Sequence, residues 1–192
     1  MKDLINKIDA FGEKIIGFIY NKNRFIDKLM IAVTLSGELG IIWIIISFFL
    51  FSRTKYTKEA IMVLLAIALA SILGEGIIKH IVKRKRPFIK NNIIKLMISQ
   101  PGTYSFPSGH TASSFAAATV FIRTDMRLTY LIVVIAILIS FSRLYLRVHY
   151  LSDVIGGIIL GVFSGTIVVM IFKWIGIIKA YINIFLSNLD EK

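Results

Sequence analysis

The run Ser142-Arg143-Leu144-Tyr145-Leu146-Arg147-Val148-His149-Tyr150-Leu151-Ser152-Asp153 sets an arginine, a histidine and an aspartate in order where two long apolar stretches meet. His149 and Asp153 are four residues apart, so a helical path puts them on one face, a turn from each other. A carboxylate there can accept the proton on one imidazole nitrogen, fix the tautomer and leave the other nitrogen free to attack. Arg143 adds a permanent cation suited to an oxyanion or a phosphoryl group. The plainer reading of this run alone is a helix end with snorkelling arginines and a solvated histidine.

Two further stretches weigh against the plainer reading. In Pro107-Ser108-Gly109-His110, the proline breaks a loop, Ser108 suits an N-cap and Gly109 leaves room for a close ligand. A helix starting there aims free N–H groups and its positive dipole end at whatever lies above it, which is an anion site. His110, at its mouth, can give a proton to a leaving oxygen. Upstream, Lys79 and Arg86 supply two more cations, beside Glu75 and His80. Glu75 and Lys79 are an i, i+4 pair, which offsets part of the cost of a carboxylate near an apolar span.

The elements that must position these residues are helices in a membrane. Of the 192 residues 56% are hydrophobic, with mean hydropathy +0.77, too apolar for an ordinary soluble domain of this length. The chain reads as a single domain, 1–192: an all-α polytopic transmembrane helix bundle of about five spans over 30–178, preceded by an N-terminal interfacial amphipathic helix in 1–24. Within that first helix Leu4, Ile8, Phe11, Ile15 and Phe18 recur at spacings of four and three with charges between them, which is an interfacial pattern rather than a signal peptide. The spans are expected at 30–51, 60–82, 108–122, 128–142 and 154–172. The third is only about 22 Å of helix, so its start is expected below the interface. Glu38 in the first span is read as facing the bundle interior. Gly157, Gly161 and Gly165 in the fifth are read as a packing stripe. Residues 83–108 are read as irregular and basic, with a short interfacial turn over 93–98.

No cysteine is present, which excludes disulfides and thiolate chemistry. The net charge of +12 is assigned to anionic lipid or an anionic substrate, and no nucleic-acid motif is evident. Five spans put alternate loops on one side of the membrane. The end of span two, the start of span three and the turn between spans four and five therefore share a face. Those are the places that hold Lys79 and Arg86, then Ser108, Gly109 and His110, then Arg143, His149 and Asp153.

Taken together, Lys79-(six residues)-Arg86-Pro87, Pro107-Ser108-Gly109-His110 and Ser142-Arg143-(five residues)-His149-(three residues)-Asp153 resemble the three-part signature of the type 2 phosphatidic acid phosphatase superfamily. The apolar spans resemble its membrane lipid phosphatase branch rather than its soluble phosphatases and haloperoxidases. The resemblance implies His149 as nucleophile forming a phosphohistidine, Asp153 orienting its ring and His110 as general acid and then base. It implies Lys79, Arg86, Ser108, Gly109 and Arg143 as phosphate ligands, with no metal and no cofactor. The implied substrate is a lipid phosphate or diphosphate, undecaprenyl diphosphate first, with phosphatidylglycerophosphate or phosphatidic acid as the alternative. A lipid scaffold or flippase is the non-enzymatic alternative. The resemblance also implies a cell-membrane protein whose site faces the extracytoplasmic side. Lys83, Arg84, Lys85, Lys90 and the basic N-terminal helix lie on the site-bearing face, and the positive-inside rule argues the opposite orientation.

Overall fold

The computed structural model describes residues 2–90 and 96–190, with the side chains of Leu39, Lys90 and 184–190 left aside. Among the described residues the architecture is all-helical. Helix α1 (Lys2–Ile19) lies outside the bundle and turns Asp9, Gly12 and Ile16 inward. Leu4, Phe11 and Phe18, each more than 60% exposed, face away.

Helix α2 (Arg24–Ser36), capped by the Asn23 side chain, and helix α3 (Ile41–Phe51) occupy the first expected span. They are not one straight helix. A single 3-10 turn at Glu38–Gly40 separates them, and their axes bend by 57°. Gly40 has φ 71°, a left-handed conformation that glycine adopts without steric cost. Helix α4 (Thr57–Ser71) runs into a wide π-type segment, Ile72–Ile78, and then helix α5 (Lys79–Val82). Such bulges are frequent at functional sites because they re-aim side chains.

Where an irregular segment was expected, a short helix α6 (Pro87–Lys90) forms. Among the described residues of that segment, Ser105 N–H donates to the Arg84 carbonyl at 2.9 Å. The turn expected over 93–98 falls partly outside the described residues. Helices α7 (Gly109–Arg123), α8 (Thr129–Tyr145) and α9 (Leu151–Asp190) complete the chain.

Two stretches, Thr54–Ile89 and Leu151–Asn183, are long and apolar enough to cross a membrane, and a third if α2 and α3 form one bent span. Helices α7 and α8 have 15 and 17 residues, short of the usual spanning length. Of the five spans expected, two or three are shown by length and composition.

Helix α7 is the centre of the bundle. Its alanine and serine surface is almost wholly buried against α4, α8 and α9. The α9 glycines make this close approach possible. A Cβ at Gly157 would sit 2.7 Å from the Ser108 carbonyl oxygen, and one at Gly165 would sit 2.7 Å from Thr119 Cβ. Helix α3 is pinned to α7 through Trp43 Nε1, which donates to Ser114 Oγ at 3.2 Å.

Candidate active site

The α9 stripe seats the start of α7 beside the turn that joins α8 to α9. Ser108 N–H donates to the Asp153 carbonyl at 3.0 Å, tying two of the three motifs together through backbone. Next to this tie lies a cavity of about 480 Å³, lined among others by Lys79, Arg86, Gly109, His110, Arg143 and His149. Six of the eight residues singled out in the sequence thus meet at one void.

His149 is 2% exposed at its side chain. Arg86 Nη1 lies 3.2 Å from His149 Nε2. A guanidinium can only donate, so Nε2 is the acceptor and Nδ1 carries the ring proton. Nδ1 points toward Asp153 Oδ2 at 3.6 Å, longer than a hydrogen bond and of the kind that tightens when a ligand is bound. Burial first, and then the Arg86, Arg143 and Lys79 cations, hold the His149 imidazole well below its usual range. It is a neutral base with its lone pair directed at the cations.

Asp153 is fully buried. Its Oδ2 accepts from the Tyr150 N–H at 2.9 Å, and its Oδ1 from Arg84 Nη1 at 2.5 Å. Arg86 is held on every side: Nε donates to the Thr103 carbonyl at 2.7 Å and Nη1 to the Val148 carbonyl at 2.9 Å. Its Nη2 donates to Thr103 Oγ1 and the Tyr104 carbonyl. It is as much a clamp on the loop and on His149 as a free phosphate ligand. Lys79 Nζ bonds Thr103 Oγ1 at 3.0 Å and pairs with Glu75 at 2.6 Å, the spacing expected from the sequence. Arg143, buried in α8, donates to Thr34 Oγ1 of α2.

Ser108 occupies the N-cap of α7, but its side chain makes no cap bond. Its Oγ accepts from Thr111 at 3.0 Å in the protein interior, away from the cavity lining. Gly109 faces Glu75, whose carboxylate occupies the space a Cβ would need. Gly37 gives the His110 ring room, since a Cβ there would lie 3.3 Å from His110 Cδ2.

Sequence reasoning missed several participants. Glu38 was read as a bundle-facing acid, yet it lines the cavity with Glu75. Thr34 holds Arg143, and Thr103 holds both Lys79 and Arg86. Arg84 looked like one member of a basic run, and Asp9 like one charge on an interfacial helix. The only available signal for Asp9 was its i, i+3, i+7 spacing to Gly12 and Ile16.

A neutral histidine backed by a carboxylate, a second histidine, three cations and a helix start around one void make an arrangement for phosphoryl transfer in a membrane helix bundle. Among the described residues no group of three or more His, Cys, Asp or Glu is placed to hold a metal ion. Residues 59–177 match the family described as the PAP2 superfamily, and the chain belongs to it, in its membrane lipid phosphatase branch. It is a lipid phosphatase of the general PAP2 type. It is 31% identical over 159 residues to an undecaprenyl-diphosphatase of Sulfolobus acidocaldarius, covering 78% of this chain and 76% of that protein. It is 32% identical over 153 residues to a lipid A 4'-phosphatase of Porphyromonas gingivalis, covering 70% and 64%. Its fold is similar to that of a transmembrane PAP2-type phosphatidylglycerolphosphate phosphatase from Bacillus subtilis, with TM-score 0.71, 24% identity and 90% and 88% of the two chains covered.

Proposed function

We propose that the chain removes a terminal phosphoryl group from a membrane lipid through a phosphohistidine. His149 Nε2 attacks phosphorus, a P–N bond forms and the P–O bond to the lipid breaks. His110, protonated beside the anionic phosphoryl group, gives a proton to the leaving oxygen and becomes the neutral imidazole. His110 then takes a proton from water, which attacks phosphorus, breaks the P–N bond and releases inorganic phosphate. Asp153 balances the charge that the attacking imidazole gains. Lys79, Arg143, the start of α7 and the Arg86 Nη1 that His149 gives up on attack hold the phosphoryl oxygens. The observation that carries this reading is the placement of His149, with Nε2 3.2 Å from Arg86 Nη1 and Nδ1 3.6 Å from Asp153 Oδ2.

The substrate is read as a phosphomonoester lipid, such as phosphatidylglycerophosphate or phosphatidic acid. The cavity sets Lys79, Arg86 and Arg143 against Glu38 and Glu75, a balance that suits one phosphoryl group and a hydroxylated leaving portion. Undecaprenyl diphosphate is the second reading. The relative named undecaprenyl-diphosphatase supports it, as does an adjoining cavity of about 640 Å³ where His80 and Lys85 sit beside Lys79 and Arg86. The site is assigned to the extracytoplasmic side. Phosphate release from purified protein, with the monoester and the diphosphate lipid side by side, tests the substrate. A higher kcat/KM for the monoester is expected, and Glu38→Gln should shift the ratio toward the diphosphate. Preference for the diphosphate with no effect of Glu38→Gln would make the second reading the correct one. No release from either would end the phosphatase reading.

A further inference from the structure

Helix α1 is joined to the α8–α9 turn by more than apolar contact. Asp9 is 6% exposed although it belongs to an interfacial helix. Its Oδ1 accepts from Ser152 N–H at 3.0 Å and from Ser152 Oγ at 2.7 Å. Its Oδ2 accepts from Arg84 Nη2. The other arm of the same guanidinium reaches Ser152 Oγ at 2.6 Å and Asp153 Oδ1 at 2.5 Å, and the group lies 4.1 Å over the Tyr150 ring. Ser152 lies in the first turn of α9, where unpaired N–H groups and the positive dipole end favour a carboxylate. The contact is also shaped for closeness, since a Cβ at Gly12 would come within 2.9 Å of Leu151 Cβ.

We propose that Asp9 and Arg84 are positioning residues for the reaction at His149, and that α1 is thereby a working part of the active site rather than only a membrane anchor. This rests on the phosphohistidine reading above. Arg84 is shared between two carboxylates. While Asp9 holds one arm, Asp153 keeps part of its negative charge for the His149 ring and keeps the direction of its Oδ2. Without Asp9 the guanidinium turns wholly to Asp153, and the support for the imidazole that is gaining charge in the transition state falls. The packed geometry also fixes the height of α1 against the catalytic turn.

The test uses the full-length protein and a double-mutant cycle. Wild-type phosphate release is measured first, and its absence would overturn the phosphatase reading together with the proposal. With that activity present, Asp9→Asn is expected to lower kcat roughly tenfold with KM little changed, the size of coupling found within one charged network. Asp9→Glu should regain part of the loss. Asp3→Asn, on the exposed part of the same helix, should behave as wild type. In an Asp153→Asn background, Asp9→Asn should cause no further loss, because the group through which it acts is already neutral. Losses that multiply in the double variant, or a wild-type kcat for Asp9→Asn, would overturn the proposal while leaving the phosphatase reading intact. Should Asp9→Asn fail to accumulate in the membrane, Arg84→Lys carries the same cycle. An ammonium keeps the charge but cannot bridge two carboxylates with a planar fork, and the same two outcomes decide it.

Discussion

His110 and His149 line one cavity, but it is His149 whose Nδ1 lies 3.6 Å from a buried carboxylate and whose Nε2 lies 3.2 Å from a guanidinium. That asymmetry separates their variants. His149→Ala is expected to abolish turnover on every substrate, since no route to the phosphoenzyme remains. His110→Ala should depend on the leaving group, with a large loss on an alkyl phosphate and a smaller one on a nitrophenyl ester, whose oxygen leaves with little help. Rates on the two esters check this, and equal losses for His110→Ala on both would exchange the roles. The environment of His149 also has a thermal consequence. Its folded pKa lies below the unfolded value of about 6.5, so the unfolded chain binds the extra proton first as pH falls. The stability that neutral His149 contributes is complete above that value and is lost as pH drops through and below it. The melting temperature in detergent should therefore fall between about pH 7 and pH 5 more steeply in the wild type than in His149→Gln. Parallel curves would contradict the buried, neutral assignment.

At the scale of elements, the seam between α7 and α9 sets the site, because Ser108 and Asp153 meet across it. Gly161 is the tightest point at which a side chain would strike backbone: a Cβ would press on the Ala112 carbonyl, on Ala116 N and on Phe115 Cβ. Backbone cannot yield as a flexible side chain does. Gly161→Val should cost about 1–3 kcal/mol or more and impair turnover by separating the two helices. Gly176, on the same helix, has nothing within 4 Å of an added Cβ. Gly176→Ala should be neutral or add up to about 1 kcal/mol through lower unfolded-state entropy. Melting curves of the two variants check the contrast, and equal behaviour would mean that the stripe is not a contact surface.

For the whole molecule, orientation in the membrane turns on how the basic residues near the site are engaged. The basic residues near the site favour a cytoplasmic face by charge count, yet Arg84, Arg86 and Lys79 are engaged inside the protein. Cations committed to carboxylates, carbonyls and substrate do not weigh on insertion in the same way as free loop charges. Helix α9 runs away from the site and is long enough to cross, so an extracytoplasmic site puts the C-terminus in the cytoplasm. A reporter fused after Lys192 should be active only in the cytoplasm, and activity outside would reverse the assignment.

The sequence by itself determined the family: the order and spacing of Lys79, Arg86, His110, Arg143, His149 and Asp153 carry the resemblance, and the match over residues 59–177 bears it out. Gly157, Gly161 and Gly165 are recognisable because close helix contact needs small residues every fourth position. The π-type turn at Ile72–Ile78 and the break at Glu38–Gly40 were not legible, since local glycines permit such geometry without dictating it. Span number was legible only for the long apolar stretches, because an apolar helix such as α8 has the same composition whether or not its length suffices to cross. Tertiary structure alone decided what surrounds each charge. Arg84 and Asp9 are 75 residues apart, and Arg143 and Thr34 are 109 apart. Pairings at that range leave no periodic trace, because they arise only when packing removes water from both partners and forces each buried charge to find a counterpart.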